Sequence, residues 1–464
     1  MAIAGTLLLV FVSLLRPQEF IEALRPLSIL NLCAAIAAIG LVFELGSGKH
    51  RAPWTPQLPW LGAFLAWCFL VTVRALGPEG ITVAWDFVGL STIFMLVVAF
   101  SARTLPRYRA VAAVFIVTSV VLSLVSIHQA RQPPECIVMD TSAENGGDRS
   151  GEGTPDGRGC DSAFECERNG GKPNASYVCE KVGLFGTFTT GRRVRWRGTL
   201  GDPNELALAV GAITPFTLAF AAAARKVWVN ILTAVVLVLS LVTVVLTSSR
   251  GGQLVVLTVF GVYFVRRYGL KGLLVGAILA MPVLLLGGRS GEEADSSELE
   301  RIDLLYEGMD MIRAHPLLGV GVGQFGDNVP AGMTAHNAYV LSCSELGFPG
   351  SVLWLMLVYT SMKIPWTVLS RPPPGLDPRV PPFALALVVS FAGMLVGIFF
   401  LSFSYKAFLF IYFGMSGALY GVVRRACPEF EVRVEPRELV RVAVADVAVL
   451  LFVLVFSHVK GAHA

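Results

Sequence analysis

The chain has 464 residues, of which 54% are hydrophobic and only 15% charged, with a mean hydropathy of +0.66. A water-soluble domain must present a charged surface, so this balance excludes that class and leaves a polytopic membrane protein. The formal net charge of +4 gives no case for nucleic-acid binding, and the placement of the charges matters more than their sum.

Apolar runs of spanning length predict helices at 3–15, 27–45, 58–73, 82–100, 110–127, 206–224, 227–246, 253–265, 270–286, 338–362, 382–403 and 407–423. That makes about twelve helices, each closing its own backbone hydrogen bonds as lipid requires. The run 3–15 lacks a basic stretch and a small-residue cleavage site, so it reads as a retained helix. The run 440–456 contains Asp446 and stays open between a further span and a helix at the interface.

Basic residues fall on alternate connections: Lys49 and Arg51; Arg103, Arg107 and Arg109; Arg225 and Lys226; Arg266, Arg267 and Lys271; Lys363, Arg371 and Arg379; Arg424 and Arg425. Short basic loops favour the cytoplasm, so this side is expected inside. The other connections are then outside. The predicted class is an all-α polytopic membrane protein with two large outer loops. Its parts are N-terminal membrane helices (1–127), a Cys-containing loop (128–197), core membrane helices (198–286), a loop with an amphipathic helix (287–336), and C-terminal membrane helices with a tail (337–464).

In the first loop Cys136, Cys160, Cys166 and Cys179 predict two disulfides, with three pairings open. A zinc site is the competing reading, unsupported by any Cys-x-x-Cys pair or nearby His. Cys33, Cys68, Cys343 and Cys427 lie in or near spans and read as packing residues. Beyond the loop, Asp202-Pro203-Asn204-Glu205 opens a span behind Arg192, Arg193, Arg195 and Arg197. Helix N-termini favour anions, although Asp202 and Asn204 also suit simple capping.

Arg250, in Ser248-Ser249-Arg250-Gly251-Gly252, is placed outside against the positive-inside tendency. Its guanidinium fork matches phosphate oxygens in pairs, and the two glycines let a ligand approach the backbone. An arginine snorkelling at headgroup level is the alternative. In the second outer loop, Ser297 and Glu300 form a capping-box pattern, and Ile302, Leu305, Tyr306, Met309 and Ile312 make an apolar helical stripe. Arg301 borders that stripe and either faces the membrane surface or pairs with a neighbouring acid, and Arg313 is expected to pair with one.

His315-Pro316 ends the helix, and Gly321 to Gly326 match G-x-G-x-x-G only formally, since no strand precedes them. These glycines are expected to allow a compact turn over a site. His336, at the mouth of a span, is a candidate proton acceptor, with a cap or simple hydrogen-bonding residue as the alternative. Asn337 could orient a sugar or the imidazole. Glu345, two turns deeper, could do the same or be a structural acid. The acids Glu292, Glu293 and Asp295 read as a solvated run before a metal site. No Walker lysine, Ser-His-Asp order or metallohydrolase signature is visible, so neither cofactor nor metal is expected.

Taken together, Thr247-Ser248-Ser249-Arg250-Gly251-Gly252, Arg301, Ala314-His315-Pro316-Leu317-Leu318-Gly319-Val320-Gly321, His336-Asn337 and Glu345-Leu346-Gly347 resemble the O-antigen ligase and polymerase family of bacterial envelope glycan enzymes. Gly201 to Ala207 also looks like the start of that family's core region. The resemblance covers roughly 197–350 and implies a multi-pass inner-membrane glycosyltransferase with its active site facing the periplasm. Such enzymes move a glycan from an undecaprenyl-diphosphate donor to an acceptor hydroxyl, on lipid A core for a ligase or on a second lipid-linked glycan for a polymerase. The resemblance implies that Arg250 and Arg301 hold the diphosphate and that His336 activates the acceptor, with Asn337, Asn204 and Glu345 as further substrate-binding candidates. Membrane lipids, and polysaccharide export machinery, are the expected partners, and nucleic acid is not. A solute transporter would place functional charge at mid-membrane, where Asp86 is the clearest candidate. A structural member of an export complex is the third reading.

Overall fold

A computed structural model describes residues 2–24, 26–47, 54–139, 153–172, 175–224, 226–286 and 292–461. Among them, nine helical runs are long and apolar enough to cross a membrane, so the chain is an all-α polytopic membrane protein. The sequence-based figure of about twelve also counts the shorter α1 (Ala2–Leu15) and α11 (Leu270–Leu286) and the charged-ended α10 (Arg250–Tyr268). It also divides the run Leu58–Ser101 and omits Pro436–Val459, which qualifies as a span.

Two compact units form. The first comprises Met1–Val10, Leu30–Ala113 and Ser290–Ala464, and holds α2 (Ile29–Gly46), α3 (Leu58–Leu76), α4 (Gly80–Ala84), α5 (Leu90–Ser101) and the start of α6 (Leu105–Arg131). The Leu58–Ser101 run would be about 66 Å long as one rod at 1.5 Å per residue, twice what a bilayer needs. It is broken instead: Gly77 adopts φ 69°, and Gly80 lies so close to the Thr72 carbonyl that a Cβ would overlap it. A π-helical turn, Trp85–Gly89, separates α4 from α5 and carries Asp86, whose side chain is exposed.

The rest of this unit is α12 (Glu292–Ala314), α13 (Ala338–Ser370), α14 (Val380–Gly397), α15 (Ala407–Ala426) and α16 (Pro436–Gly461). Helix α15 is buried along most of its length, and it reaches α5 through small residues, Gly414 against Met95 and Val98 and Gly417 against Ala99. Helix α12 begins at Glu292, not at the Ser297 capping pattern. A first turn rich in Glu and Asp suits the positive end of the helix dipole, which lets the helix start earlier. The side chains of Glu292, Glu293 and Asp295 lie outside the described residues. The buried face of α12 is wider than the predicted stripe, adding Leu304, Gly308 and Met311 to Ile302, Leu305 and Met309. Arg313 pairs with Asp310 at 2.7 Å on the exposed side.

The second unit comprises Phe11–Ile29 and Val114–Arg289. Here the Cys-containing loop departs from the all-helical expectation. It forms a three-stranded antiparallel sheet in the order β2-β1-β3, from β1 (Pro134–Met139), β2 (Gly153–Gly159) and β3 (Ser176–Lys181), with the short helix α7 (Ala163–Arg168). Cys136 lies opposite Cys179 across β1 and β3, yet each bonds elsewhere, as Cys136–Cys166 and Cys160–Cys179. The sulfurs of Cys136, Cys160 and Cys166 lie within 4.8 Å of one another because the two bridges pack together, and a sulfur held in a disulfide offers no thiolate to zinc. The membrane part of this unit is α8 (Pro203–Ala224), α9 (Val227–Leu246), α10 and α11, with Phe115 of α6 against Phe216 at 5.8 Å.

Candidate functional site

In the second unit Arg250 is the first residue of α10, with its side chain exposed. Ser249 is the N-cap, and its hydroxyl accepts from the Gly252 N–H at 2.9 Å. Ser248, just before it, is held at φ 48°, a left-handed conformation that a residue with a Cβ adopts only at a cost of about 1–2 kcal/mol. Gly252 answers a packing need, since a Cβ there would run into Ala207 of α8.

Side chains pin this turn from two sides. The buried Arg193 donates from Nε to the Thr247 carbonyl at 2.8 Å and from Nη2 to Asn204 Oδ1 at 3.0 Å. The same Asn204 oxygen accepts from the Ser249 hydroxyl at 2.7 Å. Asn204 Nδ2 and its backbone N–H both donate to Asp202 Oδ1, at 2.8 and 2.6 Å. Asn204, expected to meet substrate, is thus buried with its amide engaged on both ends. Its neighbour Arg195 is buried over the Phe188 ring at 4.3 Å and donates to the Phe188 carbonyl.

In the first unit Arg301 is half-buried on α12, and His336 is half-buried immediately before α13, at φ 48°. Asn337 is the N-cap of α13: Oδ1 accepts from the N–H groups of Tyr339 and Val340 at 2.9 and 3.0 Å. Only 1% of Asn337 is exposed, and its Nδ2 finds no hydrogen-bond partner among the described residues. The capping role fixes Asn337 and with it the strained residue before it, His336.

Helix α13, read from sequence as one span, is two helices joined at Gly347, which takes φ 67° and ψ 174°. Pro349 has no N–H to give the Glu345 carbonyl, so the break must be satisfied from outside. The glycine-rich loop after α12 does so. Val320 N–H donates to the Ser344 carbonyl at 3.0 Å, Gly321 N–H to the Glu345 carbonyl at 2.9 Å, and Trp67 Nε1 of α3 to the Leu346 carbonyl at 2.8 Å. In return Phe348 N–H donates to the Pro316 carbonyl at 2.8 Å. Gly319, Gly321 and Gly323 all have positive φ. From sequence these glycines are expected to allow a compact turn over a site, and the turn they form splices the loop onto a broken helix.

Glu345 completes the splice. Its side chain is buried, and Oε1 accepts from the Phe325 N–H at 3.1 Å, drawing the loop onto the helix. Tyr405, in the connection between α14 and α15, faces the same carboxyl, and burial first, then the Glu345 charge, push its hydroxyl well above the usual tyrosine range. Sequence reading missed Tyr405, Trp67 and Arg193. Nothing in the local pattern marks the first two, whereas Arg193 belongs to a visible basic cluster.

The exposed Arg250 opens α10 and the half-buried His336 immediately precedes α13, while the half-buried Arg301 lies in the middle of α12. Residues 235–355 match the family model described as O-antigen ligase, and residues 3–128 match a second model, described as a family of unknown function. No curated protein matches the chain. Residues 235–355, which include Arg250, Arg301, His336, Asn337 and Glu345, are thus similar to the O-antigen ligase family, and this match supports a relation to O-antigen ligases and polymerases.

Proposed function

We propose that this protein transfers a glycan from an undecaprenyl-diphosphate donor to an acceptor hydroxyl at the periplasmic face of the bacterial inner membrane, as an O-antigen ligase or a surface-polysaccharide polymerase. The observation that carries the reading is the O-antigen ligase match over 235–355, which includes every residue given a chemical role here. Arg250 and Arg301 bind the diphosphate, whose negative charge grows as the bond to the sugar's anomeric carbon breaks, so fixed guanidinium groups lower the barrier. His336 takes the proton of the acceptor hydroxyl as its oxygen bonds to that carbon, a contribution of about 10² to 10⁴ in rate for a positioned base. The electron pair leaves with undecaprenyl diphosphate. The sugar arrives already activated, so no nucleotide takes part. The acceptor is lipid A core in a ligase and a second lipid-linked glycan in a polymerase.

The test is glycan analysis of a deletion strain complemented with wild type or His336→Ala. Lipid-linked long chains accumulating with His336→Ala identify a ligase, and accumulating single repeats identify a polymerase. Unchanged glycans in that strain would overturn the proposal.

A further inference from the structure

We infer that Arg193, Asn204 and Ser249 form a clasp that holds the Thr247–Arg250 turn in its strained shape and thereby aims Arg250, making all three positioning residues and not diphosphate ligands. This rests on the reading of Arg250 above. The geometry lies within one unit. A single oxygen, Asn204 Oδ1, accepts from both Arg193 Nη2 and the Ser249 hydroxyl, while Arg193 Nε holds the Thr247 carbonyl one residue before the strained Ser248. Asp202 fixes the Asn204 amide from its other end, so the oxygen cannot rotate away. Val194 N–H adds a bond to the Leu246 carbonyl at 3.3 Å, extending the grip to the end of α9. All three clasp residues are at most 8% exposed, whereas Arg250 is exposed.

Such an arrangement has a stated purpose in physical terms. A left-handed non-glycine residue persists only where its surroundings over-determine it, and such strain concentrates where a group must be pre-aimed. Released from the clasp, Ser248 would relax to an ordinary conformation and re-aim the start of α10. Arg250 would keep its charge but lose its direction.

The experiment measures binding of undecaprenyl diphosphate in detergent to the full-length protein. Variants are Arg250→Ala, Asn204→Ala, Ser249→Ala, Ser249→Thr and the double variant Asn204→Ala with Arg250→Ala. Gly252 amide hydrogen exchange is followed alongside. The clasp predicts that Asn204→Ala and Ser249→Ala each weaken binding by roughly 5- to 30-fold and speed Gly252 exchange, while Ser249→Thr keeps both near wild type. The double variant should bind no more weakly than Arg250→Ala, since residues acting through one group are not additive. Additive losses, or unchanged Gly252 exchange in Asn204→Ala, would overturn the clasp and leave the role of Arg250 standing. Wild-type binding by Arg250→Ala would remove that role and the clasp's purpose with it.

Discussion

Gly347 stands so close to Leu317 that a side-chain carbon on the glycine would overlap the leucine carbonyl. The contact is one of two such close approaches in the splice between the glycine-rich loop and the broken helix α13, the other being Gly319 against Glu345. Gly347→Ala therefore meets two penalties, about 1–3 kcal/mol for a backbone conformation that glycine alone adopts readily and a steric one on top. Gly375 offers the control: its φ is 74°, yet nothing lies within 4 Å of a Cβ there. The thermal midpoint of the detergent-solubilised protein should fall clearly further for Gly347→Ala than for Gly375→Ala. Equal shifts would mean that the loop yields and the splice is slack.

Asp446 sits at the centre of α16, fully buried, with Oδ1 accepting from the Ser351 hydroxyl at 3.2 Å. Ser351 in turn lies 3.3 Å from the Ser342 hydroxyl. Ser342 precedes the Gly347 break and Ser351 follows it, so this polar chain ties α16 to both halves of α13. Polar contacts between membrane helices are worth about 0.6 kcal/mol on average and up to about 1.7. A double-mutant cycle with Asp446→Leu and Ser351→Ala, read by unfolding in detergent, should return a coupling in that range. A coupling of zero would reduce Asp446 to an isolated buried acid.

How far these features were legible in the sequence varies with the physics behind each. Apolar runs gave the spans because lipid demands them, and the apolar side of α12 emerged because Ile302, Leu305 and Met309 recur at helical spacing. The break in α13 did not emerge. Gly347 and Pro349 are visible, but membrane helices tolerate both, and only the three-dimensional meeting with Gly321 and Trp67 decides between a kink and a break. The sheet in the Cys-containing loop was hidden because four cysteines overrule weak strand patterns such as Pro134–Met139. At the site, Asn337 was visible as a polar residue before an apolar run. That Asn204 serves Arg193 and Ser249 could not be seen, since its partners lie 11 and 45 residues away in the chain.

Arg250 occupies the position on α10 where a positive charge is least welcome, because the helix dipole places partial positive charge at its N-terminus. The local penalty is about 0.3–1 kcal/mol. A residue kept against such a cost is kept for another purpose. Arg250→Ala should therefore abolish glycan transfer in the complemented strain while the protein still folds and reaches the membrane. Arg250→Lys should recover transfer only in part, because an ammonium keeps the charge without the two-pronged fork. A destabilised Arg250→Ala protein would point instead to a structural arginine.

The disulfides Cys136–Cys166 and Cys160–Cys179 close segments separated by 30 and 19 residues. By loop-closure entropy each is worth about 3–4 kcal/mol. The three-stranded sheet they secure is small, and its strand β2 carries Asp156 and Arg158, whose hydrogen-bonded pairing holds the Asp156 carboxyl below its usual range. A sheet of three short strands has little apolar area with which to replace that stabilisation. Reduction of the purified protein should therefore open the strands 134–139, 153–159 and 176–181 to proteolysis while the spans, stabilised by packing and lipid, stay intact. Cleavage within these strands, appearing only after reductant is added, is the expected pattern. Full resistance of the reduced protein would show that contacts around the bridges, and not the bridges, hold the sheet together.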